Sequence, residues 1–278
     1  MRRIFLPFLA LVFLLTVQIG FAEEIVQDVI KHLEGLHIQT GDLLFWATNE
    51  IDSCLIQKFT DGPYSHAGIF SVAPDGTILM YDVHPMGGVR RSSSQDFFGV
   101  DQSKVVSMAV VRYKGTVNRE DLLKRLDQFL ARKDQVIFDQ SMALEGGSGY
   151  LALLQGKKLA LYCTEFVYRL YEGIYSGPVF FENDYPLIYG KRDIFRSMPE
   201  DAEIYGEFKQ WIGVNPVQRF QEWLTSHKSR VIISANGMLR GGGFEVLYEK
   251  SDKTRLKSWA VQLFEMPIQD TSISQATQ

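Results

Sequence analysis

Apolar residues recur at the spacing of one α-helix face in several parts of the chain, and this spacing predicts the helices. The segments are Ile25–Leu36, a stretch from about Thr48 or Asn49 to the Asp61-Gly62-Pro63 turn, Asn118–Ala131, the residues that follow Cys163, and Val217–Thr225. Asn118 is of a residue type that caps helix N-termini well, which supports the third of these predictions.

Shorter apolar runs bounded by turn residues predict the strands. These runs are Leu43–Trp46, Ala67–Val72, Ile78–Val83, Val105–Arg112, Val231–Ser234 and Phe244–Leu247. The turn at Pro74-Asp75-Gly76 predicts that the second and third strands form a hairpin. The stretch Tyr175–Asp201 is rich in Pro, Gly, Asp and Tyr and is predicted to be irregular. Hairpins mixed with helices indicate the α+β class in a single domain.

The N-terminal residues have the pattern of a secretory signal peptide. Arg2 and Arg3 precede an apolar run over residues 4–15, and Gly20-Phe21-Ala22 supplies a small-x-small cleavage site. We therefore expect residues 1–22 to be removed and residues 23–278 to act in the periplasm or outside the cell. An uncleaved anchor is the alternative, but the apolar run is short for a span of roughly 20 residues. No stable membrane anchor is then expected in the mature protein.

Composition narrows the classes of partner. Hydrophobic residues make up 46% of the chain and aromatic residues 13%, which is enough to build a core. The net charge is −4 and there is no long basic run, so a nucleic-acid partner is not expected. The two cysteines, Cys54 and Cys163, are too few for a disulfide scaffold. The sequence does not indicate an oligomeric state.

Cys163 and His66 are the candidate catalytic residues. A thiol acts as a nucleophile when it is a thiolate, and both a helix N-terminus and a histidine favour that form. Cys163 lies at the predicted start of a helix, where its backbone amide is placed to bind an oxyanion. His66 follows a turn, opens a predicted strand and precedes the small residues Ala67 and Gly68. For Cys163 alone, the alternative is a buried small hydrophobic residue.

A histidine base needs a third group that orients its ring. Asp82 and His84 are two residues apart on the predicted partner strand and therefore share a face. Either could accept the proton on the far nitrogen of His66. Alternatively, Asp82 is a solvated strand charge and His84 belongs to a turn. A zinc site of His66, His84 and Asp82 is also conceivable, but these residues lack the usual close spacing of histidine ligands. We expect no metal and no cofactor.

An ordered set of motifs resembles the YiiX-like branch of the NlpC-type papain-like cysteine amidases. The motifs are Gly41-Asp42-Leu43-Leu44-Phe45, Tyr64-Ser65-His66-Ala67-Gly68-Ile69, Tyr81-Asp82 and Tyr162-Cys163-Thr164-Glu165-Phe166-Val167. Weaker similarities lie at Gly87-Gly88-Val89, Val136–Asp139, Val231–Ser234 and Phe244-Glu245-Val246, so the resemblance runs from about Leu36 to Leu247. In that branch the papain-type fold is circularly permuted and His precedes Cys. Lecithin retinol acyltransferase is a distant relative of the same kind.

The resemblance implies a circularly permuted papain-like (NlpC-type) fold, with an antiparallel sheet packed against helices and C-terminal additions. The core would span about residues 36–250 and end in a polar tail. It also implies Cys163 as the nucleophile and His66 as the general base. The third member is usually Glu in this branch. Asp82, one methylene shorter, stands at that position, and His84 is the alternative.

The implied function is that of an exported cysteine hydrolase of the thiol protease kind. It would cleave an amide bond of a small peptide or amino-acid amide through an acyl-enzyme on Cys163. Relatives of this fold also act on lipids, so an acyl-lipid acyltransferase or esterase is an alternative. A lipid- or peptide-binding module of the same fold is another. The sequence alone does not identify the substrate.

Cys54 has two interpretations. It shares an apolar helical face with Ile51 and Leu55, which indicates packing in the core. In an oxidising compartment it could instead form a disulfide with Cys163 and so block the nucleophile.

Overall fold

The computed structural model describes residues 28–33, 35–84, 88–93, 96–97, 104–139, 153–191, 203, 205–206 and 231–266. The predicted signal peptide (residues 1–22), the predicted helix at Val217–Thr225 and the polar tail after residue 266 lie outside these ranges. Within them, none of the helices has the length and apolar character required to span a membrane.

The main sheet has six strands, each antiparallel to its neighbours. Its strands are β1 (Leu43–Thr48), β2 (His66–Val72), β3 (Ile78–His84), β4 (Gly88–Ser93), β5 (Val105–Tyr113) and β10 (Phe244–Ser251), in the spatial order β10-β5-β1-β2-β3-β4. The hairpin of β2 and β3 turns through Gly76, whose φ of +85° suits glycine. The predicted hairpin and strands 43–46, 67–72, 78–83, 105–112 and 244–247 are confirmed.

Two short strand pairs stand beside the main sheet. β6 (Thr116–Val117) pairs antiparallel with β9 (Tyr175–Ser176), and β7 (Val136–Phe138) pairs parallel with β8 (Leu159–Leu161). β8 ends two residues before Cys163, and the N–H of Asp139 continues the pairing by donating to the carbonyl of Leu161. The β7–β8 pair therefore fixes the direction from which the chain reaches Cys163.

The helices cover both faces of the sheet. In addition to helical residues 28–33, they are Ile51–Phe59, Arg119–Ala131, Cys163–Tyr171, Tyr185–Gly190, Ala235–Arg240 and Ser258–Glu265, with 3₁₀ turns at Lys133–Gln135 and Lys253–Arg255. The helix Cys163–Tyr171, called the Cys163 helix below, packs its apolar side on the sheet face that carries Leu43, Phe45 and Ile69. Residues Val29 and Leu33 cover the opposite face. The chain is thus α+β, with an antiparallel sheet packed against helices.

Burial on both faces explains why the central strands are apolar at nearly every position. Leu43 and Phe45 point to the Cys163 helix, whereas Leu44 and Trp46 point to the other face, and all four side chains are buried. The pattern is therefore continuous rather than alternating. In the helix layer, the rings of Phe129 and Phe166 meet edge to face at 5.3 Å, which joins helix Arg119–Ala131 to the Cys163 helix.

Two expectations about the C-terminal half are corrected, and one helix there was not predicted. The strand predicted at Val231–Ser234 is wrong, because only Val231 forms a bridge and Ser234 instead caps the helix Ala235–Arg240. The predicted irregular stretch contains strand β9 and the helix Tyr185–Gly190. The helix Ser258–Glu265 has no counterpart among the predicted elements. Its buried residues, among them Trp259, pack against the helix Ile51–Phe59.

The cap of helix Arg119–Ala131 gives a measurable stability prediction. The Asn118 side chain accepts a hydrogen bond from the N–H of Asp121 at 3.2 Å. Replacing Asn118 with Ala should lower the free energy of unfolding by about 1 kcal/mol, because that N–H loses its partner. Asn118→Ser retains a capping oxygen and should change it by only about 0.3 kcal/mol. Urea unfolding followed by circular dichroism measures both, and equal losses would refute the cap.

Candidate active site

Cys163 is the first residue of its helix and is 5% exposed. Tyr162, in extended conformation, precedes it, and the first intrahelical bond runs from the N–H of Phe166 to the carbonyl of Tyr162. The N–H groups of the first turn, including that of Cys163, are therefore not used within the helix. They and the helix dipole favour negative charge at this position. The helix start predicted at Cys163 is confirmed.

His66 begins β2 at a place where the sheet opens. The pairing of β2 with β1 includes His66, opposite Trp46, but the pairing of β2 with β3 starts only at Ile69, opposite Tyr81. Residues 66–68 thus have one edge along which β3 does not pair.

The Cys163 sulfur occupies this open edge. The N–H of Phe70 donates to the carbonyl of Asp42, the residue before β1, so even-numbered residues of β2 bond toward β1 and Ala67 points its N–H the other way. That N–H donates to the sulfur of Cys163. The start of the Cys163 helix is therefore held against β2 by the N–H of Ala67, a group that would bond to β3 if β3 paired with β2 here.

The thiol of Cys163 is acidified by its neighbours. Burial by itself raises the pKa of this thiol, but the charge and hydrogen bond of His66 act in the opposite direction. The backbone N–H groups of Ala67 and Thr164 also bond to the sulfur and favour the thiolate. The net result is a pKa below the ordinary value of a cysteine. The site thus combines the two features, a histidine partner and a helix start, that activate a thiol.

The imidazole of His66 shifts in the complementary direction. Burial is the largest single cause and opposes its charged form, whereas the Cys163 thiolate, first by its charge and then by its hydrogen bond, favours that form. The charges of Asp82 and Asp52 add to this effect, and the pKa of His66 is raised. The indole of Trp46 meets the imidazole edge to face, with ring centroids 4.5 Å apart, and limits its rotation.

Asp82 is fully buried and bonded to Arg90 on the neighbouring strand β4. Its two carboxylate oxygens accept from Nε and a terminal nitrogen of Arg90 at 2.6 and 2.8 Å. The expectation that Asp82 is a solvated strand charge is therefore wrong. Asp82 acts on His66 through its charge, and both of its carboxylate oxygens are hydrogen-bonded to Arg90.

His84 shares the face of β3 with Asp82 and lies opposite Gly88 of β4. Burial lowers the pKa of His84, and the charge of Arg90 lowers it further, while Asp82 acts against both. His84 therefore favours the neutral form, in contrast to His66. Among the described residues, no group of three or more His, Cys, Asp or Glu side chains is arranged to hold a metal ion.

Cys54 has the opposite environment to Cys163. Both cysteines are free, so the disulfide alternative is wrong for this structure, and Cys54 packs in the core as predicted. Burial raises the pKa of the Cys54 thiol to about 12, with a further contribution from the charge of Asp52. Of the two thiols, only Cys163 has surroundings that favour a thiolate.

The sequence analysis did not identify the residues that bond to the neighbours of His66 and Cys163. Arg90 holds Asp82, and both backbone groups of Ile233 bond to the side chains on either side of Cys163. Arg90 has a weak sequence signal, because it faces Asp82 if β3 and β4 form a hairpin. Ile233 has no sequence signal, because its role depends on a contact with Thr164, which is 69 residues away in the sequence.

Comparisons with known proteins show a similarity to a solved structure. No family model matches the chain, and no curated protein matches it. The chain is similar to the crystal structure of the metalloprotein yiiX from Escherichia coli O157:H7, with 16% sequence identity and a TM-score of 0.47. The similarity covers 77% of this chain and 98% of that chain. A likeness of this strength does not establish a shared activity.

The contact between His66 and Cys163 predicts a pH-dependent thiol reactivity. At pH 6.5, His66→Ala should slow iodoacetamide labelling of Cys163 by about tenfold or more, because a rise of one pKa unit removes nine-tenths of the thiolate. The difference between the two rates should shrink as the pH rises toward 9.5. Peptide-level mass spectrometry identifies the labelled cysteine, with Cys54 as the internal control that labels only after unfolding. Identical pH profiles for the two proteins would contradict the ion pair.

The bonding of Asp82 to Arg90 predicts opposite effects for two substitutions. Asp82→Asn removes a charge that favours the imidazolium, so labelling at pH 6.5 should slow, by less than about threefold since the carboxylate is already neutralised by Arg90. Arg90→Gln leaves that charge unneutralised and should speed labelling. His84→Ala tests the alternative third member on the same strand and should leave the labelling rate unchanged. A loss in Asp82→Asn as large as that in His66→Ala would instead make Asp82 the orienting group.

Proposed function

We propose that the protein is an exported cysteine hydrolase that cleaves amide bonds through an acyl-enzyme on Cys163. The observation that carries this proposal is the hydrogen-bonded Cys163–His66 pair, in which the thiol pKa is lowered and the imidazole pKa is raised. Shifts of opposite direction in two touching groups are typical of a nucleophile and its base. Ordinary burial would raise the thiol pKa, as it does at Cys54.

The reaction would follow the acyl-transfer scheme. His66 holds the proton of the Cys163 thiol, and the thiolate attacks the carbonyl carbon of the substrate. The backbone N–H of Cys163 donates to the oxyanion as it forms. His66 then gives its proton to the leaving amine, which departs and leaves a thioester. Water attacks the thioester while His66 accepts one of its protons, and the acid product is released.

The proposal includes a circularly permuted papain-like arrangement. It is supported by the order of the elements, in which the strand with His66 precedes the helix that starts at Cys163. It is also supported by the seating of that helix against an antiparallel sheet. Asp82, the third member implied by the motif resemblance, acts on the imidazole of His66 by its charge in this scheme, and His84 is the alternative.

The substrate class in the proposal is a small peptide or an amino-acid amide. The support for an amide comes from the motif resemblance around His66 and Cys163, and the support for export comes from the pattern of residues 1–22. The leaving amine takes its proton from His66, which the thiolate keeps protonated in the resting pair. No metal or cofactor takes part in the proposed steps.

Mass spectrometry of Cys163 tests the function directly. The mature chain is incubated with panels of peptides, amino-acid amides and acyl lipids, and we expect an acyl adduct on Cys163 from the first or second panel. Cys163→Ala should lose turnover completely while its circular dichroism matches that of the parent, because Ala removes only the sulfur. Cys54→Ala, the other thiol, should retain turnover.

The remaining outcomes separate the alternatives. An adduct from the acyl-lipid panel alone would indicate a lipid acyltransferase or esterase. Tight binding of a peptide or lipid with no adduct from any panel would indicate a binding module and would refute the hydrolase.

A further inference from the structure

Ile233 is held by the two residues that flank Cys163. Its N–H donates to the hydroxyl of Tyr162 at 3.0 Å, and its carbonyl accepts from the hydroxyl of Thr164. All three residues are buried. The position of Ile233 is therefore tied to the position of the Cys163 backbone.

Asn236, three residues later, is held by the loop that leads into His66. Its amide oxygen accepts from the N–H of Tyr64 at 3.1 Å, and its amide nitrogen donates to the carbonyl of Tyr64 and to the hydroxyl of Thr60, both at 2.7 Å. The side chain is 3% exposed and lies directly under Gly62, where a Cβ would overlap it. The Asn236 side chain thus bonds to both the N–H and the carbonyl of Tyr64, as a neighbouring strand would. Tyr64 lies two residues before His66.

The link between Ile233 and Asn236 is stiff. The Ser234 hydroxyl caps the helix Ala235–Arg240 by accepting from the N–H of Gly237 at 2.9 Å. The Ser234 N–H donates to the carboxylate of Asp184 at 3.0 Å, and Asp184 is fully buried and paired with Arg240. A capped and ion-paired turn transmits the position of one end to the other.

We infer that Asn236 is a positioning residue for the Cys163–His66 pair. One rigid segment bonds to the side chains of the two residues that flank Cys163 and, through Asn236, to the backbone of Tyr64 on the His66 side. The inference rests on the proposed function, since it assigns a role in keeping that pair within hydrogen-bond distance. Its consequence is that loss of the Asn236 bonds weakens the pair, although Asn236 touches neither side chain.

The test is the pH dependence of Cys163 labelling by iodoacetamide in Asn236→Ala. If the variant loosens the pair, the ratio of the rate at pH 6.5 to the rate at pH 9.5 should fall about tenfold, since one pKa unit changes the thiolate fraction tenfold. The charges of Asp82 and Asp52, which also act on His66, are untouched by this change. Labelling is measured well below the melting temperature of each protein.

Asn118→Ala is the matched control, because it also removes a hydrogen bond from a side chain to the backbone. Asn118 lies beside Ile174, beyond the C-terminal end of the Cys163 helix. Asn118→Ala should lower the melting temperature and leave the ratio unchanged. If Asn236→Ala also lowers the melting temperature while its ratio equals that of the parent, Asn236 is only a structural residue and the inference is overturned.

If Asn236→Ala does not fold, Thr60→Val decides the matter. It keeps the side-chain volume and removes the hydroxyl to which Asn236 donates, and the ratio should fall about threefold, part of the full effect. An unchanged ratio would overturn the inference. Failure of the proposed function has a different signature, in which the parent and His66→Ala already share one pH profile.

Discussion

The N–H of Ala67 points away from β1, at a place where β3 has not yet begun to pair with β2. In a regular sheet this group would bond to the next strand, and leaving it without a partner in the interior would cost about 1 to 3 kcal/mol. The Cys163 sulfur takes that bond instead. Because β2 and β3 do not pair here, the start of the Cys163 helix can pack against β2, and the N–H of Ala67 can donate to the thiolate. The remaining contacts of the site follow from this arrangement.

Burial of a thiolate and an imidazolium together is costly, because both charges lose water. The structure offsets the cost with short-range bonds. The sulfur receives two backbone N–H groups besides His66, and the imidazole contacts the sulfur and meets the indole of Trp46 edge to face. Groups that hold such a pair must themselves be rigid, since a loose bond returns little of the desolvation cost. The buried segment 232–236, which bonds to residues on both sides of the site, provides that rigidity.

The elements that local sequence determines were predictable, and those set by distant contacts were not. Helix Arg119–Ala131 and the β2–β3 hairpin follow from periodicity, a cap and a turn, all of which are local. Residues 231–234 have the composition of a strand, yet the side chains of Tyr162 and Thr164 take the backbone bonds that a neighbouring strand would have used. The contact of Cys163 with His66 could be inferred from residue types, whereas the bond from Arg90 to Asp82 depends on the β3–β4 register.

The causes of the raised pKa of His66 bear on the proposed role of Asp82 as the third group of the site. Burial is the largest and acts against the charged imidazole, and the thiolate of Cys163 is the largest that favours it, ahead of Asp82. A carboxylate bonded through both oxygens to Arg90 presents little net charge to its surroundings. The imidazolium of His66 is therefore stabilised mainly by the thiolate of Cys163, which forms when His66 takes the thiol proton. In such a pair the third group tunes the balance and Trp46 restrains the ring, so an Asp at this position, though shorter than Glu, does not have to reach the imidazole.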